Sequence, residues 1–294
     1  MKQPIFTGVC TALVTPFSGG SVDLRKLAEL LELQAQAQIP AVCLCGTTGE
    51  SAVLTQAERD AILREGAKRR NGMKLIAGAG SNCTETAVQN CRRAADLGAD
   101  AALVVTPYYN KANRPGLLEH YLKIADASPC PIILYNVPSR TGVDLPVDLI
   151  CELSRHENVA GCKEASGDIV KTIRILRGCA PGFSVWSGND DQIVPMMAVG
   201  AKGVISVVSN LLPAETKKMT DACLSGEYPE AAKLQLGWSD LIDALFAEVN
   251  PVPVKHAMNL CGMAVGTTRL PLGGISEKAA KQLLQALKAH GLKA

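Results

Sequence analysis

The chain has 294 residues, of which 47% are hydrophobic and 20% are charged, and its formal net charge is +2. The small net charge and an aromatic content of only 4% argue against a nucleic-acid-binding protein. No run of about 18 uninterrupted apolar residues is present, so we expect no transmembrane helix and no membrane partner.

Cysteine and histidine usage gives information on compartment and metal binding. The chain has 11 cysteines but no C-x-x-C pair, and its four histidines lie far apart in sequence. Several cysteines lie within apolar runs, where cysteine behaves as a small hydrophobic residue. This usage is typical of a reduced, cytoplasmic protein without a metal site. The first residues lack an A-x-A cleavage site, so we expect no secretory leader.

Short apolar runs of strand character alternate with amphipathic segments of helical period through the first 225 residues. The apolar runs lie near 8–14, 41–45, 74–79, 101–106, 131–135, 159–163, 183–187 and 203–207. Asp23 and Thr55 are good N-caps for two of the intervening helices, and Thr55 has Glu58 three residues on, as in a capping box. Eight such alternations predict a parallel (β/α)8 TIM barrel. A doubly wound sheet is the alternative, because periodicity does not reveal closure.

The strand pattern stops after residue 225. Segments 227–248, 252–261 and 276–290 have a helical pattern, and Pro251, Pro253 and Pro271 interrupt it. We therefore predict a barrel over residues 1–225 and an all-helical C-terminal extension over residues 226–294.

Two reactive side chains end successive predicted strands. Tyr135 closes the fifth apolar run and Lys163 closes the sixth, at the strand ends where α/β barrels carry their catalytic groups. An amine in an apolar barrel mouth can be held neutral and attack a carbonyl, while a phenol can move protons without a permanent charge. The pair predicts Schiff-base catalysis. Pairing of Lys163 with Glu164 is the alternative, but neighbours on a strand point to opposite faces.

Other loops on the same rim carry groups suited to binding. In Gly46-Thr47-Thr48-Gly49-Glu50, two glycines bracket two hydroxyls, so the backbone can turn sharply and present N–H groups to an anion. Tyr108 and Tyr109 follow the fourth strand, and Arg140 follows Tyr135 in a proline-bounded loop where a guanidinium can bind a carboxylate. Tight turns, packing tyrosines and a surface arginine are the alternatives for these three features.

Three segments together resemble the dihydrodipicolinate synthase family, within the N-acetylneuraminate lyase superfamily. They are Gly46-Thr47-Thr48-Gly49-Glu50, Tyr135-Asn136-Val137-Pro138-Ser139-Arg140-Thr141-Gly142 and Gly161-Cys162-Lys163-Glu164-Ala165. The resemblance extends from Thr7 through the helical tail. It implies a TIM-barrel lyase that condenses pyruvate with L-aspartate 4-semialdehyde through a Schiff base, in the diaminopimelate route of lysine biosynthesis.

The resemblance also implies roles for the residues of the relay. Lys163 forms the imine with pyruvate, so that no cofactor and no metal is required. Tyr135 relays protons through Thr47 to Tyr109, and a neighbouring subunit contributes the tyrosine at this last position. The family pattern thus implies a homo-oligomer, a tetramer built as a dimer of dimers.

The remaining implied roles concern substrate binding and feedback. Thr48 corresponds to a residue that holds the pyruvate carboxylate, and Arg140 to one that receives the carboxylate of aspartate semialdehyde. Gly188 and Ile205 correspond to positions that contact substrate through the backbone. Family members inhibited by L-lysine have a glutamate where this chain has Thr86 and often a histidine where it has Arg59. We therefore expect weak or absent inhibition by L-lysine.

Two other functions stay open on the sequence alone. Another pyruvate-dependent class I aldolase or lyase of the superfamily, such as N-acetylneuraminate lyase or a 2-oxo acid aldolase, would share Lys163 and Tyr135. The double threonine and the loop around Arg140 favour the synthase instead. A catalytically inactive barrel that senses a small molecule would keep the fold, but it would form no adduct with pyruvate.

Overall fold

Eight parallel strands close into a barrel in this computed structural model, which describes residues 2–293. The barrel strands are β1 Gly8–Ala12, β2 Ala41–Leu44, β3 Lys74–Gly78, β4 Ala101–Val105, β5 Ile132–Asn136, β6 Val159–Glu164, β7 Ser184–Ser187 and β8 Gly203–Ser206. Each strand pairs with the next in sequence, and β1 pairs with β8, with Val9 opposite Val204. This pairing closes the sheet. The prediction of a (β/α)8 TIM barrel is confirmed, and the doubly wound alternative is wrong.

The strands are apolar on both faces because both faces are covered. Val9 and Val204 face the surrounding helices, whereas Cys10, Ile76 and Ile205 lie in a separate cluster of buried residues inside the barrel. Strands buried in this way read as continuous apolar runs rather than as alternating patterns. The interior is therefore a packed core, and only the rim at the carboxyl ends of the strands is free to carry polar chemistry.

Helices surround the barrel. They are α1 Leu24–Gln36, α2 Gln56–Arg69, α3 Thr84–Asp96, α4 Arg114–Ala127, α5 Pro138–Thr141, α6 Val147–Leu153, α7 Ile169–Gly178, α8 Ile193–Ala198 and α9 Pro213–Leu224. Both predicted caps are confirmed: the Asp23 side chain accepts from the Lys26 amide at 2.9 Å, and Thr55 and Glu58 form a capping box. These bonds satisfy amides that the first turn of a helix leaves unpaired.

Four helices form the C-terminal part: α10 Tyr228–Gly237, α11 Ser239–Leu245, α12 Val252–Leu260 and α13 Glu277–Ala289. The single helix predicted over 227–248 is wrong, because the chain turns at Trp238 and starts a second helix. Gly237, a poor helix former, precedes the break, and the Trp238 ring stacks on His290 with centroids 4.4 Å apart. The helical extension itself is observed, while the division at residue 225 stays a prediction.

Some local structure has no counterpart in the sequence-based prediction. Phe17–Ser18 and Ser21–Val22 form a short antiparallel ribbon after β1. Short 3₁₀ turns occupy Ser51–Val53, Asp190–Gln192 and Val208–Asn210, each after a barrel strand. Among the helices of residues 2–293, none is both long and apolar enough to cross a membrane.

Candidate active site

Lys163 and Tyr135 lie side by side at the rim of the barrel. They are register partners on β5 and β6, and each side chain is only 6% exposed. The Lys163 ammonium nitrogen lies 4.4 Å from the centroid of the Tyr135 ring. Among the side chains of residues 2–293, no carboxylate forms an ion pair with Lys163. The structure therefore brings together a buried amine without a counter-ion and a phenol, as the sequence predicted.

Glu164 is engaged elsewhere, which rules out the alternative of a Lys163–Glu164 pair. Its carboxylate accepts from the Asn136 amide nitrogen at 3.0 and 3.1 Å and from the Ser166 backbone at 2.7 Å. Asn136 donates in turn to Asp144 at 2.8 Å. Glu164 thus anchors the loops after β5 and β6 and leaves the amine free.

Gly188 allows the loop after β7 to approach Lys163 closely. A Cβ built on Gly188 would lie 3.0 Å from Lys163 Cε and 2.5 Å from Ala165 Cβ. The Gly188 amide donates to the Glu164 carbonyl at 2.8 Å, which holds the two loops together. Ile205 lies on the next strand, β8, fully buried in the interior cluster that includes Tyr135. Gly188 is therefore close to the Lys163 side chain, and Ile205 shares the interior cluster with Tyr135.

The loop after β2 completes the other side of the site. Thr47 and Tyr135 both line a small cavity of about 40 Å³, together with Gly46, Gly78 and Gly80. Thr48 is buried and turns the other way, where its hydroxyl accepts from Asn250 Nδ2 at 2.9 Å. The two adjacent threonines thus have different surroundings, one beside the phenol and one beside the C-terminal part of the chain.

Asn250 is a site residue that the sequence analysis missed. It connects two predicted binding residues, because its side chain donates to Thr48 and its carbonyl accepts from Arg140 Nη2 at 3.2 Å. Its Oδ1 atom is buried and has no hydrogen-bond partner within the structure. Asn250 lies 202 residues from Thr48, between α11 and α12, and no local pattern marks it. Arg140 itself is exposed at the rim.

A buried ion pair supports the loop after β2. Lys255 in α12 donates to Glu50 Oε1 at 2.8 Å and to the carbonyls of Thr15 and Thr267 at 3.0 and 2.9 Å. The other Glu50 oxygen accepts from the Arg269 amide at 2.9 Å. Burial lowers the pKa of Lys255, and the Glu50 carboxylate opposes this effect. All polar atoms of the pair have partners, so it fixes the loop that carries Thr47 and Thr48.

Two other titratable groups lie near the Lys163 amine, the Cys43 thiol and the Asp190 carboxyl. Burial raises the pKa of the Cys43 thiol to about 11, although the Lys163 charge acts in the opposite direction. Asp190 is buried, and its Oδ2 accepts from the amides of Val207 and Val208 at 2.8 and 3.0 Å. Burial raises the pKa of the Asp190 carboxyl as well, against its hydrogen bonds and the Lys163 charge. Asp190 thus ties the loop after β7 to the loop after β8.

Tyr109 is the one predicted relay residue that is not brought to the site. Its side chain is 91% exposed, and its backbone has a φ of 73°. A left-handed conformation is unfavourable for a tyrosine, and the neighbouring Asn110 holds the loop by donating to the Asn82 carbonyl at 2.9 Å. The loop therefore presents Tyr109 outward. Within residues 2–293, no group of three or more His, Cys, Asp or Glu side chains is arranged to hold a metal ion.

Comparison with known proteins places these features in a family. The sequence model of the dihydrodipicolinate synthetase family matches residues 5–290. The 4-hydroxy-tetrahydrodipicolinate synthase of Acetivibrio thermocellus is 44% identical over 293 residues, which cover 99% of this chain and 100% of that protein. The enzyme of the same name from Caldicellulosiruptor saccharolyticus is 46% identical over 292 residues, 99% of each chain. The crystal structure of dihydrodipicolinate synthase from Aquifex aeolicus is similar with a TM-score of 0.95 at 42% identity, covering 98% of this chain and 99% of that chain.

Proposed function

Because the chain belongs to the dihydrodipicolinate synthetase family, we propose that it is a 4-hydroxy-tetrahydrodipicolinate synthase, a class I aldolase-type lyase. Its substrates are pyruvate and L-aspartate 4-semialdehyde, and its product enters the diaminopimelate route of lysine biosynthesis. The observation that carries this proposal is the buried Lys163 amine, which forms no ion pair within residues 2–293 and lies against the Tyr135 ring.

The first step is imine formation. The Lys163 nitrogen, as a free amine, attacks the ketone carbon of pyruvate, and the carbinolamine loses water to give an iminium. Lys163 is buried beside the interior cluster that includes Cys10, Ile205 and Tyr135, so the carbinolamine forms away from bulk water. Thr48 donates its hydroxyl proton to the pyruvate carboxylate. The proton is available because the Thr48 oxygen already accepts a hydrogen bond from Asn250 Nδ2.

The second step forms the carbon–carbon bond. The iminium nitrogen withdraws electrons, so the pyruvate methyl group loses a proton and becomes an enamine carbon. This carbon attacks the aldehyde of the second substrate, whose carboxylate binds Arg140 in two hydrogen bonds. The amine of that substrate then attacks the imine carbon, closes the ring and releases Lys163 as the free amine. The protonated imine is the electron sink, so the scheme contains no cofactor and no metal.

Protons move along a chain of hydroxyls. Tyr135 and Thr47 share one small cavity, and a phenol and an alcohol can pass a proton with little charge separation in a dry site. We assign the third hydroxyl to Tyr109 of a second copy of the chain. The outward, left-handed presentation of this side chain supports that assignment, because strain of this kind persists where function requires it.

This arrangement requires at least a dimer, and we propose a tetramer built from two dimers. An exposed apolar face supports the larger assembly. It comprises Val170 and Ile173 on α7 and Val199 after α8, which are 53%, 45% and 38% exposed. Grouped exposed apolar side chains mark protein interaction surfaces. We also propose a cytoplasmic location, because all 11 cysteines are free thiols.

Reduction with borohydride in the presence of pyruvate tests the proposal. We expect the intact mass to increase by one pyruvyl unit per chain, with the modified peptide mapped to Lys163. The Lys163→Ala variant should stay unmodified. A coupled assay with both substrates, run beside an assay of N-acetylneuraminate cleavage, separates the synthase from other lyases of the superfamily. An adduct on a different lysine that persists in the variant would contradict the proposed mechanism.

A further inference from the structure

Two cysteines lie in contact on the outside of the barrel, away from the site described above. Cys151 belongs to α6, and Cys179 follows the last residue of α7. Their sulfur atoms are 3.7 Å apart. A disulfide has a sulfur–sulfur distance of about 2.05 Å, so each sulfur would need to move by less than ~1 Å. The two helices pack against each other, which keeps the thiols together in the folded chain.

The backbone leaves room for this contact. A Cβ built on Gly178 would lie 2.7 Å from Cys151 Sγ, so a larger residue at position 178 would push the sulfur away. The neighbouring Ser154 hydroxyl donates to the Cys151 carbonyl at 2.7 Å and accepts from the Ala180 amide at 2.9 Å. These bonds join the ends of the two helices across the thiol pair. Gly178 on one side and the hydrogen bonds of Ser154 on the other therefore keep the two thiols close together.

Both cysteines are partly exposed. Cys151 and Cys179 are of intermediate burial, in contrast to Cys10, Cys43 and Cys162, which are fully enclosed. Burial and the adjacent Cys151 thiol raise the pKa of Cys179 to about 12. A thiol is the nucleophile only as thiolate, so attack by Cys179 should become faster as the pH rises.

We propose that Cys151 and Cys179 are a reversible modification site, at which a low-molecular-weight disulfide oxidises the pair to an intramolecular disulfide. One cysteine thiolate attacks a sulfur of the oxidant, whose disulfide breaks and releases one small thiol. The second cysteine attacks the protein sulfur of the resulting mixed disulfide and releases the other small thiol. The protein loses two S–H bonds and gains one S–S bond, while the oxidant takes up two electrons and two protons.

The cross-link would close a loop of 28 residues around β6 and α7, the segment that carries Lys163. Closing such a loop restricts the unfolded chain and stabilises the folded one. Helices α6 and α7 run against the strand direction, so their carboxyl-terminal ends, where the two cysteines lie, are at the opposite face of the barrel from Lys163. Lys2 marks that face, because it donates to the carbonyls of Ser154 and Val159 at 3.0 and 2.9 Å. We therefore expect greater thermal stability and unchanged turnover.

The test uses the full-length protein with an excess of oxidised glutathione at pH 8. Cys83 is exposed and Cys261 is of intermediate burial, and each could form a mixed disulfide of its own. The experiment is therefore done in a Cys83→Ser/Cys261→Ser background, with Cys151→Ser added as the matched control. The background protein should lose the mass of two hydrogen atoms, yield a Cys151–Cys179 cross-linked peptide and gain about 5 °C in thermal midpoint. Dithiothreitol should reverse all three changes.

The control should instead keep the thermal midpoint that it has before oxidation and acquire at most a mixed disulfide at Cys179. Two results would overturn the inference. One is an unchanged mass of the background protein under conditions that fully modify Cys83 in the parent chain. The other is a cross-link, or a rise in thermal midpoint, that persists in the Cys151→Ser control.

Discussion

Replacing Asn250 by aspartate tests the hydrogen-bond direction on which the proposed pyruvate site depends. In the structure, Asn250 Nδ2 donates to the Thr48 hydroxyl at 2.9 Å, so the Thr48 proton stays available for a substrate carboxylate. An ionised aspartate can only accept. In Asn250→Asp the Thr48 proton would turn to the new carboxylate, and the substrate would lose its donor. Asn250→Ala is the matched variant, because it removes the partner but leaves the proton free.

The two variants should differ in size of effect. A hydrogen bond to a charged group contributes about 1.5–3 kcal/mol, so Asn250→Asp should raise the KM for pyruvate by roughly 10- to 150-fold. A neutral hydrogen bond contributes about 1 kcal/mol, so Asn250→Ala should raise it by only about 5-fold. Arg140 binds the main-chain carbonyl of residue 250. That bond survives both changes, so the KM for aspartate semialdehyde should change less.

The assay is steady-state kinetics with pyruvate varied at saturating aspartate semialdehyde, with the thermal midpoint of each variant as a folding control. Thr48→Val provides a further control, because the aspartate should have little additional effect once the hydroxyl is gone. An Asn250→Ala variant as impaired as Asn250→Asp would refute the reasoning. So would an aspartate effect of full size in the Thr48→Val background.

Three further outcomes follow from the same structure. Inactive Lys163→Ala and Tyr109→Phe chains, mixed so that subunits exchange, should regain about a quarter of wild-type activity, because half of the random dimers are mixed and one of the two sites in each is intact. No recovery despite measured exchange would contradict donation of Tyr109 across subunits. L-lysine should inhibit weakly or not at all, since Arg59 donates to the Ser51 carbonyl at 2.6 Å and Thr86 lacks a carboxylate. The assay measures activity against rising L-lysine with both substrates near their KM. Half-inhibition below about 1 mM, which corresponds to an affinity of roughly 4 kcal/mol, would show this prediction to be wrong. Burial lowers the pKa of His120 to about 4, so the unfolded chain binds the proton more readily, and the free energy of unfolding should fall as the pH drops from about 6.5 towards 4, by about 2 kcal/mol at pH 5. Urea unfolding at pH 5 and 7.5 should show this loss in the wild type and not in His120→Gln. An equal change in free energy of unfolding between the two pH values in both proteins would refute it.

The barrel and its reactive pair could be predicted because both depend on local pattern. β-branched runs mark parallel strands, and parallel strands align their carboxyl ends, so Tyr135 and Lys163 had to lie on one rim. Their register partnership follows from this alignment. The divergence of Glu164 from Lys163 follows in the same way from the alternation of side chains along a strand.

Residues that reach the site from a distance could not be predicted in this way. Asn250 and Lys255 act on the loop after β2 from more than 200 positions away, and no spacing rule links residues so far apart. The turn at Trp238 depends on its stacking with His290, which exists only in the folded extension. The outward direction of Tyr109 depends on a positive φ, a conformation that the residue type itself disfavours.

The contacts of Asn250 and Lys255 also set an order of events during synthesis. The last barrel strand ends at Ser206, so a nascent chain holds every strand of the barrel before the ribosome reaches either residue. At about 5–20 residues per second, the stretch up to Lys255 takes a few seconds more. During that interval Glu50 lacks its cation, and Thr48 lacks its amide partner. The pyruvate pocket is therefore completed late, by the arrival of α12, and a chain that stops shortly after the barrel would carry Lys163 in an unfinished site.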